Sequence, residues 1–330
     1  MDKYQNQRLD HPRQQGSAAK GRVVLDAGKL AWVGLMTLGS ILAVVLVTPG
    51  AMIMAAVLTL ATLCLGHSLG MHRRLIHDSF SCSKPLTYTL VHLGTIVGLA
   101  GPFGMLRTHD IRDWAQRQSH CHDYFAHRSP WHRDCYWQIL CRIELDSEPA
   151  LEIEADIADD PGYQWLERWW RWQQLPWAIA LWLVGGWSWV LWGICVRVLV
   201  SHLGHWGVGY CAHNQGHQRW LVKGAAVQGY NVGWVSLLTM GECWHNNHHA
   251  FPGSAKMGLE PGQWDPGWWL LRALAQAGWV WDLQTPERLA PRSELQAATS
   301  ALATYPTSTI GSLLESRCLE YSHTANATRP

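Results

Sequence analysis

Residues 30–47 read LAWVGLMTLGSILAVVLV, residues 48–50 are Thr-Pro-Gly, and residues 51–66 read AMIMAAVLTLATLCLG. No charged side chain occurs between Leu30 and Met71. At about 1.5 Å of rise per residue, each apolar half is about long enough to cross a bilayer as a helix. The Pro-Gly pair between the halves is typical of a tight turn. The stretch therefore predicts a helical hairpin that spans a membrane.

A second uncharged block, from Gln173 to Val196, is divided by Gly185-Gly186 and predicts another hairpin. Neither hairpin tip contains Lys or Arg, whereas every long connection does, so the positive-inside rule places both termini and the long connections in the cytoplasm. We predict an all-α membrane protein with four transmembrane helices in two hairpins and a cytoplasmic helical cap. The predicted parts are a polar cytoplasmic tail at 1–29, a membrane domain at 30–285 with spans at about 30–48, 51–66, 170–184 and 187–204, and a flexible tail at 286–330.

The composition narrows the classes of function. The net charge of +1 gives no indication of a nucleic-acid partner. The chain has 22 Trp, which favour membrane–water interfaces, and 18 His, the commonest metal ligand. The apolar, glycine-rich segment from Leu86 to Leu106 predicts an interfacial or buried helix, not a fifth span, because His92 interrupts it and histidine clusters flank it on both sides.

The histidines form four clusters, all on the predicted cytoplasmic side. The spacing of three and four in His245-Asn-Asn-His248-His249 would put His248 and His249 beside His245 on one helical face, so three imidazoles would converge on one metal. His72 and His77 are five residues apart and do not share an ideal α-helical face. The four clusters are His72 to His77, His120-Cys121-His122 with His109 upstream and His127 downstream, His202 to His205, and His245 to His249.

These clusters can supply the eight to ten ligands, roughly, that two neighbouring metals need, which predicts a histidine-rich di-metal site. Soluble di-iron bundles bind their metals through carboxylates and Glu-x-x-His pairs, whereas the clusters of this sequence supply mainly histidines. A zinc hydrolase would need only three ligands and a water. A metal-transporting protein would place its ligands near mid-bilayer, and a haem protein would use one or two histidines. Both remain alternatives from another class.

At this point the sequence resembles the membrane fatty acyl desaturases of the acyl-CoA, stearoyl-type Δ9 kind, over roughly residues 30–285. Gly70-Met71-His72-Arg73 through His77 is similar to that family's first histidine box. The twelve residues from Gly241 to Pro252, GECWHNNHHAFP, match its third box nearly throughout. His205, followed by Gly207 and Tyr210, is similar to the family's additional histidine ligand.

The resemblance implies two iron ions that use O₂ to insert a cis double bond into a fatty acyl chain. A lipid hydroxylase or oxygenase of the same di-iron class is the alternative. Asp113, Glu242 and Asn246 are candidates for orienting the imidazoles. The implied ligands are His72, His77, His120, His122, His205, His245, His248 and His249, with His109 and His202 as further candidates.

The second box departs from the family pattern, HxxHH after a tryptophan. Alignment on Trp114-Ala115 leaves only His122 in register, so His120 or His109 would have to compensate. The resemblance also implies a substrate linked to CoA, carrier protein or lipid, and a separate electron donor such as ferredoxin or cytochrome b5. A bacterial inner membrane is favoured over the endoplasmic reticulum because the chain is small and carries no clear retrieval signal.

Overall fold

A computed structural model describes residues 8–9 and 17–298 of the chain. Within those ranges the protein is mostly helical, and its strands pair only into three separate two-stranded ribbons. The strands are β1 (Gly21–Leu25), β2 (Ser81–Cys82), β3 (Cys141–Leu145), β4 (Trp220–Val222), β5 (Val280–Trp281) and β6 (Leu295–Ala297), and the antiparallel pairs are β1–β3, β2–β5 and β4–β6.

The helices include two segments of π-helix, each of which continues or joins an α-helix. Those π-helical segments are Thr62–Ile76 and Leu191–Val196. The α-helices are α1 (Ala27–Val45), α2 (Pro49–Ala61), α3 (Lys84–Ile96), α4 (Pro102–Arg117), α5 (Asp123–Ala126), α6 (Trp131–Leu140), α7 (Ala155–Ala158), α8 (Pro161–Arg168), α9 (Gln174–Val190), α10 (Arg197–Asn214), α11 (His245–Ala250) and α12 (Pro266–Gln276). Short 3₁₀ turns occur at Gly233–Val235 and Pro286–Arg288.

Three helices of the described chain are long and apolar enough to cross a membrane: Ala27–Val45, Pro49–Ile76 and Gln174–Asn214. At the predicted turn, Thr48-Pro49-Gly50, helix α2 begins. The Thr48 hydroxyl accepts the Ala51 N–H, and Pro49 occupies the first turn of the helix. The longest of the three contains 41 residues and is interrupted at Gly186, whose φ of +64° is not helical. That break falls at the predicted Gly185-Gly186 turn.

The segment from Leu86 to Leu106 forms α3 and the start of α4, and α3 packs against the π-helical segment Thr62–Ile76. The two backbones approach so closely that a Cβ atom at Gly66 would lie 2.3 Å from Gly94 N, and one at Gly70 would lie 2.3 Å from Leu90 O. Only glycine allows this distance. This close packing fixes the end of the second apolar helix relative to α4. That end of the helix carries His72.

Both predicted tails are partly structured. Residues 21–25 pair with β3, and α1 begins at Ala27, where the Asp26 carboxylate accepts the Lys29 N–H. At the other end, residues 286–298 form a 3₁₀ turn and strand β6, which pairs with β4. The prediction of a flexible tail from residue 286 is therefore wrong for residues 294–298, since their backbone groups bond to β4 and the residues beside it. Residues 1–7, 10–16 and 299–330 of the predicted tails lie outside the described residues.

Candidate metal centre

Seven histidines form two adjacent groups, and within each group one ring nitrogen per residue lies within 4.8 Å of the others. The ring centroid of His248, in the first group, is 5.8 Å from that of His245 and 6.1 Å from that of His249, both in the second. The four-histidine group is His72, His77, His109 and His248, and the three-histidine group is His213, His245 and His249.

The π-helical segment explains how His72 and His77 come together although they are five residues apart. The His77 N–H donates to the His72 carbonyl oxygen over 3.1 Å, an i to i+5 bond that closes a π-helical turn. The two Nε2 atoms are consequently 3.2 Å apart. His109, from α4, brings its own Nε2 to 3.3 Å from that of His77. α-Helical geometry, assumed in the sequence prediction, would have separated the first pair.

Helix α11 supplies both groups. His245 and His249 are one turn apart, with their Nε2 atoms separated by 3.0 Å, and His213 Nε2 lies 3.1 Å from that of His245. His248 is rotated by about 100° from His249 on the helix and faces the other group. The prediction that all three imidazoles converge on one point is therefore wrong, because helical geometry divides them between two points.

The two asparagines of the same motif hold α11 in place. The Asn247 amide donates to the Met257 carbonyl and to Gln263 Oε1, and its own oxygen accepts from Asn231. Asn246 accepts the backbone N–H groups of Arg219 and Trp220. Asn246 therefore anchors neighbouring backbone and bonds to none of the imidazoles among the described residues, unlike the orienting role considered from the sequence.

Carboxylates support two members of the four-histidine group at the nitrogen that faces away from the cluster. Glu242 bonds His72 Nδ1 and also accepts the Ser68 hydroxyl. Burial opposes its charge, yet the nearby His72 and Arg73 lower the pKa of Glu242 below its usual range, so it stays ionised. Asp110 bonds His109 Nδ1 over 3.1 Å; burial lowers the His109 pKa, but this hydrogen bond and the charges of Asp113 and Asp110 together raise it. In the neutral ring, each carboxylate favours the tautomer with its proton on Nδ1, which leaves the Nε2 lone pair for a metal.

The donor set fits metal ions. Imidazole nitrogens bind divalent metals at about 2.1 Å, so two nitrogens at right angles around one ion are about 3.0 Å apart, close to the separations in both groups. Burial, reinforced by neighbouring imidazoles, lowers the pKa of His77, His245 and His248 well below the usual value, so these rings are neutral and able to bind a metal. His77 and His248 each leave a buried Nδ1 with no hydrogen-bond partner among the described residues.

The structure brings five of the eight sequence-predicted ligands into the groups and leaves three outside them. His120 is exposed beyond the end of α4, and His122 caps α5, where its Nδ1 accepts the Tyr124 N–H. His205 instead packs edge-on against His67, with ring centroids 5.1 Å apart. His202, a further candidate, bonds the Val198 carbonyl of its own helix.

Two group members were underestimated from the sequence. His109, a secondary candidate, belongs to the four-histidine group, and its position on α4 with Asp113 and Gln116 at i+4 and i+7 is the signal of a polar helix face. His213 was missed because the last span was ended at 204, whereas α10 continues to Asn214. The extra turns of α10 carry His213 to His245.

A cleft of about 440 Å³ reaches the four-histidine group at His77. Its lining carries both signs of charge and includes Arg74, Lys84, Glu154 and Asp156. None of the three-histidine group lines this cleft.

Several desaturases are about 30% identical to this chain over most of its length. An sn-2 palmitoyl-lipid 9-desaturase from Nostoc sp. (strain 36) is 31% identical over 266 residues, which cover 77% of this chain and 90% of the relative. An sn-1 stearoyl-lipid 9-desaturase from Anabaena variabilis is 33% identical over 70% of this chain and 81% of its own length. An acyl-CoA 5-desaturase from Anemone leveillei is 29% identical over 71% of this chain and 73% of its own length. No protein-family model matches the chain. The similarity over most of both chains, together with the clustered histidines, shows that the protein belongs to the fatty acid desaturase family of oxidoreductases.

Proposed function

We propose that the protein inserts a double bond into a fatty acyl chain at a pair of iron ions, one in each histidine group, with O₂ as co-substrate. The observation that supports this most is the convergence of seven imidazoles into two adjacent groups. Two bound iron ions would supply O₂ activation and the removal of hydrogen from adjacent methylenes. The chain's own part is to fix the imidazoles: Glu242 and Asp110 hold protons on the far nitrogens of His72 and His109.

The position of the groups favours this enzyme over a metal transporter. His72 lies four residues before the end of the second long apolar helix, and His213 is the penultimate residue of the third. Metal ligands of a transporter would be expected near the middle of such helices. We therefore propose four spans in two hairpins, with the break at Gly186 as the second turn and the metal centre under a cytoplasmic cap. The lack of Lys and Arg at the turns supports this orientation.

The acyl carrier and the electron donor belong to the same proposal. Relatives are named for lipid-linked and for CoA-linked substrates, so a fatty acyl chain is common to them. Two electrons per turnover would come from a separate protein such as ferredoxin or cytochrome b5. A bacterial inner membrane is the proposed location.

The test is to express the chain in a bacterial host and to locate double bonds in total fatty acids by mass spectrometry, beside His248→Ala at equal protein level. We expect a new monounsaturated fatty acid with the wild type only. Hydroxylated acyl chains in its place would favour the hydroxylase alternative. If the fatty-acid profile of the cells is unchanged, and the purified enzyme supplied with electrons also forms no product, both the desaturase and the hydroxylase proposals are contradicted.

A further inference from the structure

One face of α4 runs along both histidine groups. His109, Asp113 and Gln116 follow each other at i, i+4 and i+7, so their side chains leave the helix on one side. His109 belongs to the four-histidine group, while the Gln116 amide nitrogen is 2.9 Å from His213 Nε2 of the three-histidine group. Asp113 lies between these two on the helix and therefore faces the region between the groups.

The Asp113 carboxylate is half-buried, and no N–H or O–H among the described residues donates to it. Burial would raise its pKa, but the nearby charges of His109 and Arg117 lower the pKa below the usual range, so the group is ionised. His249 and His248, one imidazole from each histidine group, also lie near the carboxylate. Asp110, the other acid of α4, differs because it is fully buried and bonded to Arg8 and His109. An ionised carboxylate that is partly withdrawn from water and receives no hydrogen bond is costly unless a cation lies near it.

The two groups are unequal in ligand number, with four nitrogens in one and three in the other. Two histidines and a carboxylate are an established donor set for non-haem iron. We infer that Asp113 is a carboxylate ligand of the metal centre and would complete the three-histidine group, which has fewer nitrogen ligands. Its carboxylate stands outside both groups of nitrogen atoms, so it would have to move towards the three-histidine group when a metal binds. The inference rests on the proposed function, since it requires metal in both groups.

The test is Fe(II) binding to the purified, detergent-solubilised full chain, with ⁵⁷Fe Mössbauer spectra of the loaded protein. Asp113→Asn preserves shape and removes the charge. We expect the more weakly bound iron to lose at least about tenfold in affinity, the size of effect seen when groups around a metal are removed. Asp113→Glu keeps a carboxylate and should stay within about tenfold of the wild type. Asp123→Asn, at an exposed residue of α5 outside both groups, is the matched control and should change nothing.

Two irons bound to Asp113→Asn with wild-type affinities and unchanged Mössbauer spectra would overturn the inference and leave the proposed function intact. A wild type that binds no iron would contradict both. If Asp113→Asn fails to fold, Asp113→His decides: an all-nitrogen site should change the spectrum of one iron only, and an unchanged spectrum would overturn the inference.

Discussion

The two histidine groups differ in what holds their rings. In the four-histidine group, Glu242 and Asp110 bond the far nitrogens of His72 and His109 and leave the metal-facing nitrogens free. In the three-histidine group, a neutral backbone carbonyl, that of Gly209, bonds His213 Nδ1. The Gln116 amide lies at 2.9 Å from His213 Nε2, the nitrogen that faces the group, and so competes with a metal.

This difference predicts an order of affinity. Carboxylates that bond the far nitrogen make an imidazole a stronger ligand, whereas a neutral carbonyl does so less. The four-histidine group also has the additional nitrogen and the adjoining cleft. We therefore expect it to load iron first and to hold it more tightly than the three-histidine group.

The largest expected effect comes from removing a ring from either group. His77→Ala and His245→Ala should each lower product formation at least about 100-fold, more than the loss of a group that only supports a ligand. Fatty-acid profiles of expressing cells at equal protein level measure this. His132→Ala, at an exposed histidine outside both groups, is the control. Activity retained in only one of the two variants would indicate that a single group suffices.

A smaller effect is expected from Glu242→Gln, which removes the charge beside His72. Iron binding to the four-histidine group should weaken about 10- to 100-fold, while the three-histidine group should change little. Equilibrium Fe(II) titration of the purified protein distinguishes the two steps. Glu148→Gln, at an exposed carboxylate that pairs with Arg107, serves as the control. If Glu242→Gln weakened iron binding to both groups equally, the proposed difference between the groups would be wrong.

A change of opposite sign is expected from Gln116→Ala. Its amide donates to the Phe125 carbonyl and lies against the metal-facing nitrogen of His213, so that contact must break before a metal binds. Since a net hydrogen bond contributes about 1 kcal/mol, removal of the amide should tighten binding to the three-histidine group by about fivefold at most. The same titration measures it, and weaker binding would show that Gln116 orients His213 instead.

The smallest effect is expected from His120→Ala and His122→Ala, since both rings lie outside the groups. Iron per chain and product formation should match the wild type. Loss of an iron in either variant would support the ligand set predicted from the sequence.

The sequence predicts what depends on local composition. The charge-free stretch from Leu30 to Met71 predicts apolar helices, and the glycine pair at 185–186 predicts the break in the third. The HNNHH motif predicts a metal site because few other roles need three such close histidines. The structure contains the apolar helices and the helix break, and its histidines lie in groups that could hold a metal ion.

Other features depend on packing between distant segments and could not be predicted. His72 and His77 meet because the helix changes to π geometry where it packs on α3 through Gly66 and Gly70. His213 joins His245 only because α10 extends beyond its apolar part. The second histidine box was placed after Trp114, whereas the histidine that contributes, His109, precedes it on α4.

The most direct test of the two-ion centre is the iron content of purified protein, measured by elemental analysis for the wild type, His213→Ala and His248→Ala. We predict about two irons per wild-type chain. His213→Ala should keep the iron of the four-histidine group. His248→Ala should lose the iron of that same group. One zinc, a haem or no metal in the wild type would contradict the account, because two histidine groups would then serve no pair of iron ions.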